Sequence, residues 1–328
     1  MNSTRFALCS LLAFAISGFD LHADTFGTGT NTFTIDFATI GNPGNADDSG
    51  AGGGIYSYAA GGVGYLFRLG VYEISQNQLD RATASGLLNV TAGAHTGDEP
   101  AAGLEWYEAA AFVNWLNTST GHQAAYNLTF SGSWSMALWS IADAWQLDGE
   151  NRYRHKDAFY YLPSEDEWYK GAYHQNDGVT ANYWDYALGS NSAPIQELNG
   201  GTIPGSAVYD GSEPGTPADP ADITLAGGLS PYGTMAQNGN VVEWIETAFD
   251  GSNDVGDEFR VTRGGRWGSA EGSLRSSFHG GNDPSTGAGA STGFRVASVP
   301  EPSCALLVAC SLLLVFSRRT LRTYERNV

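Results

Sequence analysis

The chain has 328 residues, a formal net charge of −19 from 35 acids against 16 Lys and Arg, 43 glycines and three cysteines. Such acidity argues against nucleic acid or an anionic membrane surface as a partner, because a phosphate-binding surface needs clustered cations. The length can bury a core as one domain or as a domain with an arm, and no internal repeat of the solenoid or propeller kind is visible.

Residues 1–23 carry one cation at Arg5, an apolar and small-residue stretch from Phe6 to Ile16, then Leu21, His22 and Ala23 before polar sequence begins. That order is the one a secretory signal uses, with cleavage expected after Ala23. The alternative, a buried N-terminal helix, finds little in the Gly- and Thr-rich sequence that follows to pack against.

Residues 24–64 read as an N-terminal strand and arm, with a β-type run at Thr32 to Phe37 and a Gly-Asn-Asp-rich loop from Gly41 to Gly54. Tyr65 to Ile74 alternates as a buried strand should, and Ser75 to Leu79 begins a helix. The clearest helix spans Leu104 to Leu116, where Trp106, Ala109, Ala110, Val113 and Leu116 recur at helical spacing before Gly121. Another starts at Pro163, capped by Ser164, with Glu167 closing a capping box, acids in its first turn and Trp168 and Ala172 on one face. Residues 189–228 hold Pro194, Pro204, Pro214, Pro217 and Pro220 without core periodicity, and read as a long surface insertion. Nine Trp and 16 Tyr supply burial that few helices can, so the domain should be rich in loops and held by aromatic clusters.

At the far end Val299, Pro300, Glu301 and Pro302 stop the domain, a 14-residue apolar run covers Ser303 to Phe316, and Arg318, Arg319 and Arg322 follow. The run is short for a bilayer, which needs about 20 apolar residues. It is long enough to be held transiently, and the arginines behind it should stay cytoplasmic, leaving everything upstream outside. Cys9, Cys304 and Cys310 all lie within these two end segments, so residues 24–298 contain no cysteine. A disulfide scaffold, a Cys-ligated zinc and a cysteine nucleophile are thereby excluded from that part of the chain. It carries 11 Lys and Arg against 32 acids, a formal charge of −21.

Six segments, in this order, resemble the formylglycine-generating enzyme, or sulfatase-modifying factor, family: GVYEISQNQ (70–78), LEWYEAAAFVNWLN (104–117), YLPSEDEWYKGAYH (161–174), SPYGTMAQNGNVVEW (230–244), RVTRGGRW (260–267) and TGFRVAS (292–298). The resemblance covers residues 65–298 and implies an α+β, loop-rich, C-type-lectin-like fold. The arrangement from Val299 to Val328 resembles the PEP-CTERM sorting signal of bacterial envelope proteins, which implies exosortase-type processing machinery as a partner; a permanent anchor is the alternative and uses the same hydrophobic physics. The protein is then expected to be exported to the cell envelope or beyond, held at least transiently by its tail.

The residues make physical sense apart from that resemblance. Gly264 and Gly265 between Arg263 and Trp267 permit a tight backbone path beneath a large aromatic, and Gly293 before Phe294 marks a turn into a final strand. Arg263, Arg275 and Arg295 read as buried partners for carboxylates such as Glu243 rather than as substrate clamps, because guanidinium forms planar two-point pairs. The resemblance also implies a calcium site in Asn238 to Glu243, with carbonyls of Gly239 and Val241 and the carboxylate of Glu243 as oxygen donors. Ala236 departs from the family's Asn or Asp there, and the alternative is a glycine turn with Glu243 paired to an arginine. Copper is not expected: the family's oxidase chemistry uses two cysteines that bind copper(I), whereas GSAEGSLRSSFHGG (268–281) offers Ser269 near the place of the first, and serine is not a soft ligand.

None of His22, His95, His122, His155, His174 and His279 is spaced for a helical metal pair. His279 lies near Ser276, Ser277 and Asp283, where a Ser-His-Asp reading competes with chance clustering in a Gly/Ser loop. The sequence thus reads as a non-catalytic binding or structural surface module, with envelope polysaccharide or protein as partner. The alternative is an enzyme, the family's oxidase or another acting in the same cleft.

Overall fold

The computed structural model describes residues 21–51, 59–91, 93–198, 200–210, 219–286 and 289–300. The expected leader up to residue 20 and the apolar tail from residue 301 lie outside these. Among the described residues no helix is long and apolar enough to cross a membrane.

Strand β1 (Leu21–Phe26) runs antiparallel to β2 (Phe33–Ile40), and β2 pairs with β3 (Phe67–Gly70). Phe33, Ile35 and Phe37 alternate inward with period two and enter the main core, so the N-terminal stretch is part of the domain's own sheet. The expected cut after Ala23 would fall within β1, where Leu21, His22 and Ala23 are exposed, and would leave Asp24, which holds Arg68 at 2.7 Å. Strand β3 is shorter than the alternation from Tyr65 to Ile74 suggests. Beyond Gly70 the chain leaves the ladder, and the N–H of Ile74 donates to Phe294 O at 2.9 Å.

Helix α1 (Gln76–Ala84) has Ser75 as N-cap and Gln78 completing a capping box. Helix α2 (Trp106–Ser119) buries Trp106, Ala109, Ala110, Val113 and Leu116. It ends before Gly121, whose φ of +85° suits glycine. Two hairpins follow: β4 (Asn127–Phe130) with β5 (Trp134–Ala137), and β6 (Ala144–Trp145) with β7 (Asn151–His155). Strand β8 (Tyr160–Tyr161) leads to α3 (Glu165–Tyr173), which has the cap and box the sequence predicts at Ser164 and Glu167. Trp168 and Ala172 are both fully buried in a second core cluster.

The proline-rich insertion departs from expectation. Strands β9 (Ile195–Gln196) and β10 (Ser206–Ala207) pair in parallel, and Ala207, Val208, Ile223 and Ala226 are buried. Val208 O accepts the Asn240 N–H at 2.8 Å, so this segment packs on the loop before β11 (Val242–Ala248) rather than lying loose on the surface. Its burial comes from isolated close contacts with another segment, which leave no periodic signature in sequence.

Strand β11 pairs antiparallel with β12 (Arg260–Arg263), β12 with β13 (Gly280–Asn282), and β11 in parallel with β14 (Thr292–Gly293). The last strand, β15 (Ala297–Ser298), inserts between β3 and β8 and completes a five-stranded sheet of order β1-β2-β3-β15-β8. The two ends of the described chain thus meet in one sheet. The result is the expected α+β, loop-rich fold: two larger sheets, three two-stranded pairings and three α-helices among the described residues.

Candidate functional site

Three buried arginines, in four ion pairs with carboxylates, build the frame around the four-stranded sheet. Glu243, in register with Arg263 across β11 and β12, forms its ion pair with Arg295, whose Nε and Nη2 lie 2.6 and 2.7 Å from its two oxygens. Trp168 Nε1 adds a third bond at 2.9 Å. Arg263 turns to Glu165 on α3, with Nε and Nη2 at 2.8 and 2.7 Å, and its Nη1 donates to the carbonyls of Ser276 and Phe278. Arg154 lies between Glu167 and Glu246, paired at 2.8 and 2.7 Å, and packs 3.6 Å from the centroid of Tyr161. Burial alone would raise the Glu167 carboxyl, yet the adjacent Arg154 holds it below its usual range.

Arg263 and Arg295 are therefore buried partners of carboxylates, as the sequence suggests. Arg275 is not. It is exposed and makes a surface ion pair with Glu271 at 2.8 Å, of the kind that contributes about 0–1 kcal/mol. Glu165 and Glu167 read in sequence as complements to the helix dipole, and their second role as arginine partners has no local signal. Glu73 was also hidden. Fully buried, it accepts from Asn240 Nδ2 at 2.6 Å and the Val241 N–H at 3.2 Å, and burial followed by the nearby charge of Glu243 raises its pKa well above the ordinary value.

The same geometry tests a calcium ion at Gly239, Val241 and Glu243. Glu243 is enclosed with both oxygens committed to a guanidinium and an indole N–H, so a cation there would have to displace Arg295. Gly239, with φ of +88°, packs its α-carbon so closely on Val208 that a Cβ would lie 2.1 Å from Val208 O. In this arrangement the Glu243 carboxylate is not free to take the ion: it is held in an ion pair beside a glycine turn. Among the described residues no group of three or more His, Asp or Glu side chains could hold a metal.

After β12 the chain turns through Gly264 and Gly265, with φ of +94° and +72°. The large aromatic against this turn is Trp168, whose Cζ2 would lie 3.5 Å from a Cβ on Gly264. Gly293 answers a close approach, not a turn: it sits in β14, where a Cβ would meet Ala101 O at 2.9 Å.

Beyond this turn, at the end of the sheet, lies a cleft of 430 Å³ whose walls include Arg266, Trp267, Ser269, Phe278, Asn282 and Ser291. Ser269 Oγ accepts the Arg266 N–H at 3.1 Å and the Ser269 N–H returns to Arg266 O at 2.9 Å, a closed turn that fixes the Ser269 hydroxyl at the rim. Arg266 Nη1 donates to Ser291 Oγ at 3.2 Å. The Trp267 backbone N–H donates to Asn240 O at 2.9 Å, and the ring of His95 meets the indole edge-on at 5.4 Å. Among the described residues lining the cleft none carries sulfur. His279 faces Glu165 at 3.5 Å and packs on Phe249, while Asp283 binds Ser285, so the structure does not assemble His279, Ser276, Ser277 and Asp283 into a triad.

With fold and cleft in place, the comparisons with known proteins identify the class. Residues 65–299 match the model of the sulfatase-modifying factor enzyme 1-like domain, and the chain belongs to that family. Among solved structures it is similar to Treponema denticola variable protein 1, at 18% identity and a TM-score of 0.57, over 85% of this chain and 99% of that one. It is similar also to CarF, at 18% identity and a TM-score of 0.56, over 81% of this chain and 99% of that one. At that identity the likeness speaks for the fold alone. No curated protein matches.

Proposed function

We propose that the protein is an exported, envelope-associated member of this family that works as a binding or structural surface module and has no oxidase activity toward thiol peptides. The observation that carries this reading is the chemistry of the cleft. Where copper(I) would need soft sulfur ligands, the walls present the hydroxyls of Ser269 and Ser273, together with Arg266 and Trp267. The two methionines of the domain, Met136 and Met235, are elsewhere: Met136 is in the β4–β5 hairpin and Met235 packs with Val208 and Ala236. Export is supported by the two end segments with their flanking charges, and exosortase-type processing would follow from the tail.

The decisive experiment incubates the purified protein with a sulfatase-type cysteine peptide, with and without copper, and follows the peptide by mass spectrometry. An unchanged peptide is expected. Copper-dependent aldehyde formation that survives removal of contaminating enzymes would replace this reading with the alternative, an oxidase acting by another route.

A further inference from the structure

Most of the domain's few cations are consumed internally. Of the 11 Lys and Arg in residues 24–298, Arg68, Arg154, Lys170, Arg260, Arg263 and Arg295 are buried. At the surface, Lys156 lies 3.6 Å from Asp143 and Arg275 pairs with Glu271. Arg81 is turned onto Thr32 O and Asn77, and Arg152 onto Trp139 O. Arg266 differs from these two in being exposed, at the cleft; its described side-chain hydrogen bond goes to the neutral Ser291, and like Arg81 and Arg152 it has no carboxylate partner among the described residues. Among the described residues no Asp or Glu lines the cleft, although acids outnumber cations 32 to 11 in this part of the chain. Asp283, the acid nearest in sequence to the cleft residue Asn282, is held by Ser285.

Around that cation the walls alternate rings and small polar groups. Trp267 and Phe278 supply apolar area, Phe278 being 45% exposed, and Asn282, Ser291 and Ser269 supply hydrogen-bonding groups. Aromatic surface beside hydroxyl and amide groups suits a sugar ring, which has an apolar face and a polar rim, and an arginine suits a carboxylate. The charge of the whole domain sets a further limit. At −21 it repels a polyanion, but charges beyond about 8 Å are largely screened at physiological salt, so a single carboxylate placed on Arg266 feels mainly that guanidinium.

Building on the module reading above, we propose that this cleft binds a glycan bearing one acidic sugar, its carboxylate on Arg266 and its sugar face against Trp267. The ligand is a carboxylate-capped neutral oligosaccharide, not a polyuronate. Specificity comes from Arg266, and contact area from Trp267 and Phe278.

The test titrates the full-length chain with a neutral oligosaccharide capped by one glucuronic acid, and with the same sugar after its carboxyl has been reduced to the alcohol. The acidic form should bind at least about tenfold more tightly, a difference of about 1.4 kcal/mol. Arg266→Gln, an exposed substitution, should abolish that preference, and Trp267→Ala should weaken both sugars, with thermal melting confirming that each variant folds. Arg275→Ala should change neither. Equal affinity for the two sugars, a preference that survives Arg266→Gln, or no binding of either would overturn the proposal. So would acetate competing as well as the acidic sugar, or a polyuronate binding more tightly than the singly charged ligand at low salt. Absence of sugar binding together with an unchanged cysteine peptide would sink this proposal alone and leave the module reading standing.

Discussion

Arg295 and Glu243 form a two-point ion pair that solvent does not reach, and Arg295 spends its remaining donors on Gly70 O, Val71 O and Met235 O at 2.8 to 3.2 Å. One guanidinium therefore ties the end of β3, the loop before β11 and β11 itself to the closing segment of the domain. Removing one member of such a pair leaves a buried charge and typically costs about 3–5 kcal/mol. Glu243→Gln should lose stability on that scale in denaturant melts. Because Glu243 is already occupied, wild-type melting curves in calcium and in chelator should coincide; a calcium-dependent rise that Glu243→Gln removes would show that the ion displaces Arg295.

Asp166 should give stability a pH dependence. Burial raises its pKa from 3.8 to about 7, with a smaller contribution from Asp47, Glu165 and Glu167, against the Gly61 N–H that favours the carboxylate. Between those two values the folded state holds a proton that the unfolded state has released, so stability falls as pH rises through the window. Asp166→Asn keeps the acceptor for Gly61 and removes the charge. The variant should match wild type near pH 4 and melt higher at pH 8, which a pair of thermal scans would read.

Gly239→Ala should destabilise strongly. The added Cβ would enter a backbone with φ of +88° and lie 2.1 Å from Val208 O. Strain of this kind costs about 1–3 kcal/mol, and overpacking adds about 1–3 kcal/mol more. A loss in denaturant melts of less than about 1 kcal/mol would mean that the insertion does not pack on the loop as described.

Protein recovered from its native envelope should have lost its leader, and its tail should be cut away or embedded, since each is an apolar segment flanked by charges that membranes sort. Intact mass should place the start at Asp24, keeping the residue that pairs with Arg68. Recovery of a soluble cytoplasmic species running from Met1 to Val328 would contradict export.

The sequence by itself determined the helices and their beginnings, because capping and amphipathic periodicity are local. Ser75, Ser164 and Glu167 act within three residues of their partners, and the inward face of α2 repeats along its own axis. It also determined that no thiolate is available between residues 24 and 298, a matter of composition alone. Only the tertiary structure decided what the charged side chains do. Glu165 meets Arg263 across 98 positions and Arg154 meets Glu246 across 92, and nothing at either end announces the other. The burial of Val208 against Gly239 and the solvation of Arg275 were likewise invisible, since both depend on which distant segment arrives beside them. Arg266 shows the same limit in its sharpest form. In sequence it is one arginine among several near a glycine pair, and only folding exposes it at a cleft that no Asp or Glu lines among the described residues, while Glu165 goes to Arg263, Glu243 to Arg295 and Glu271 to Arg275.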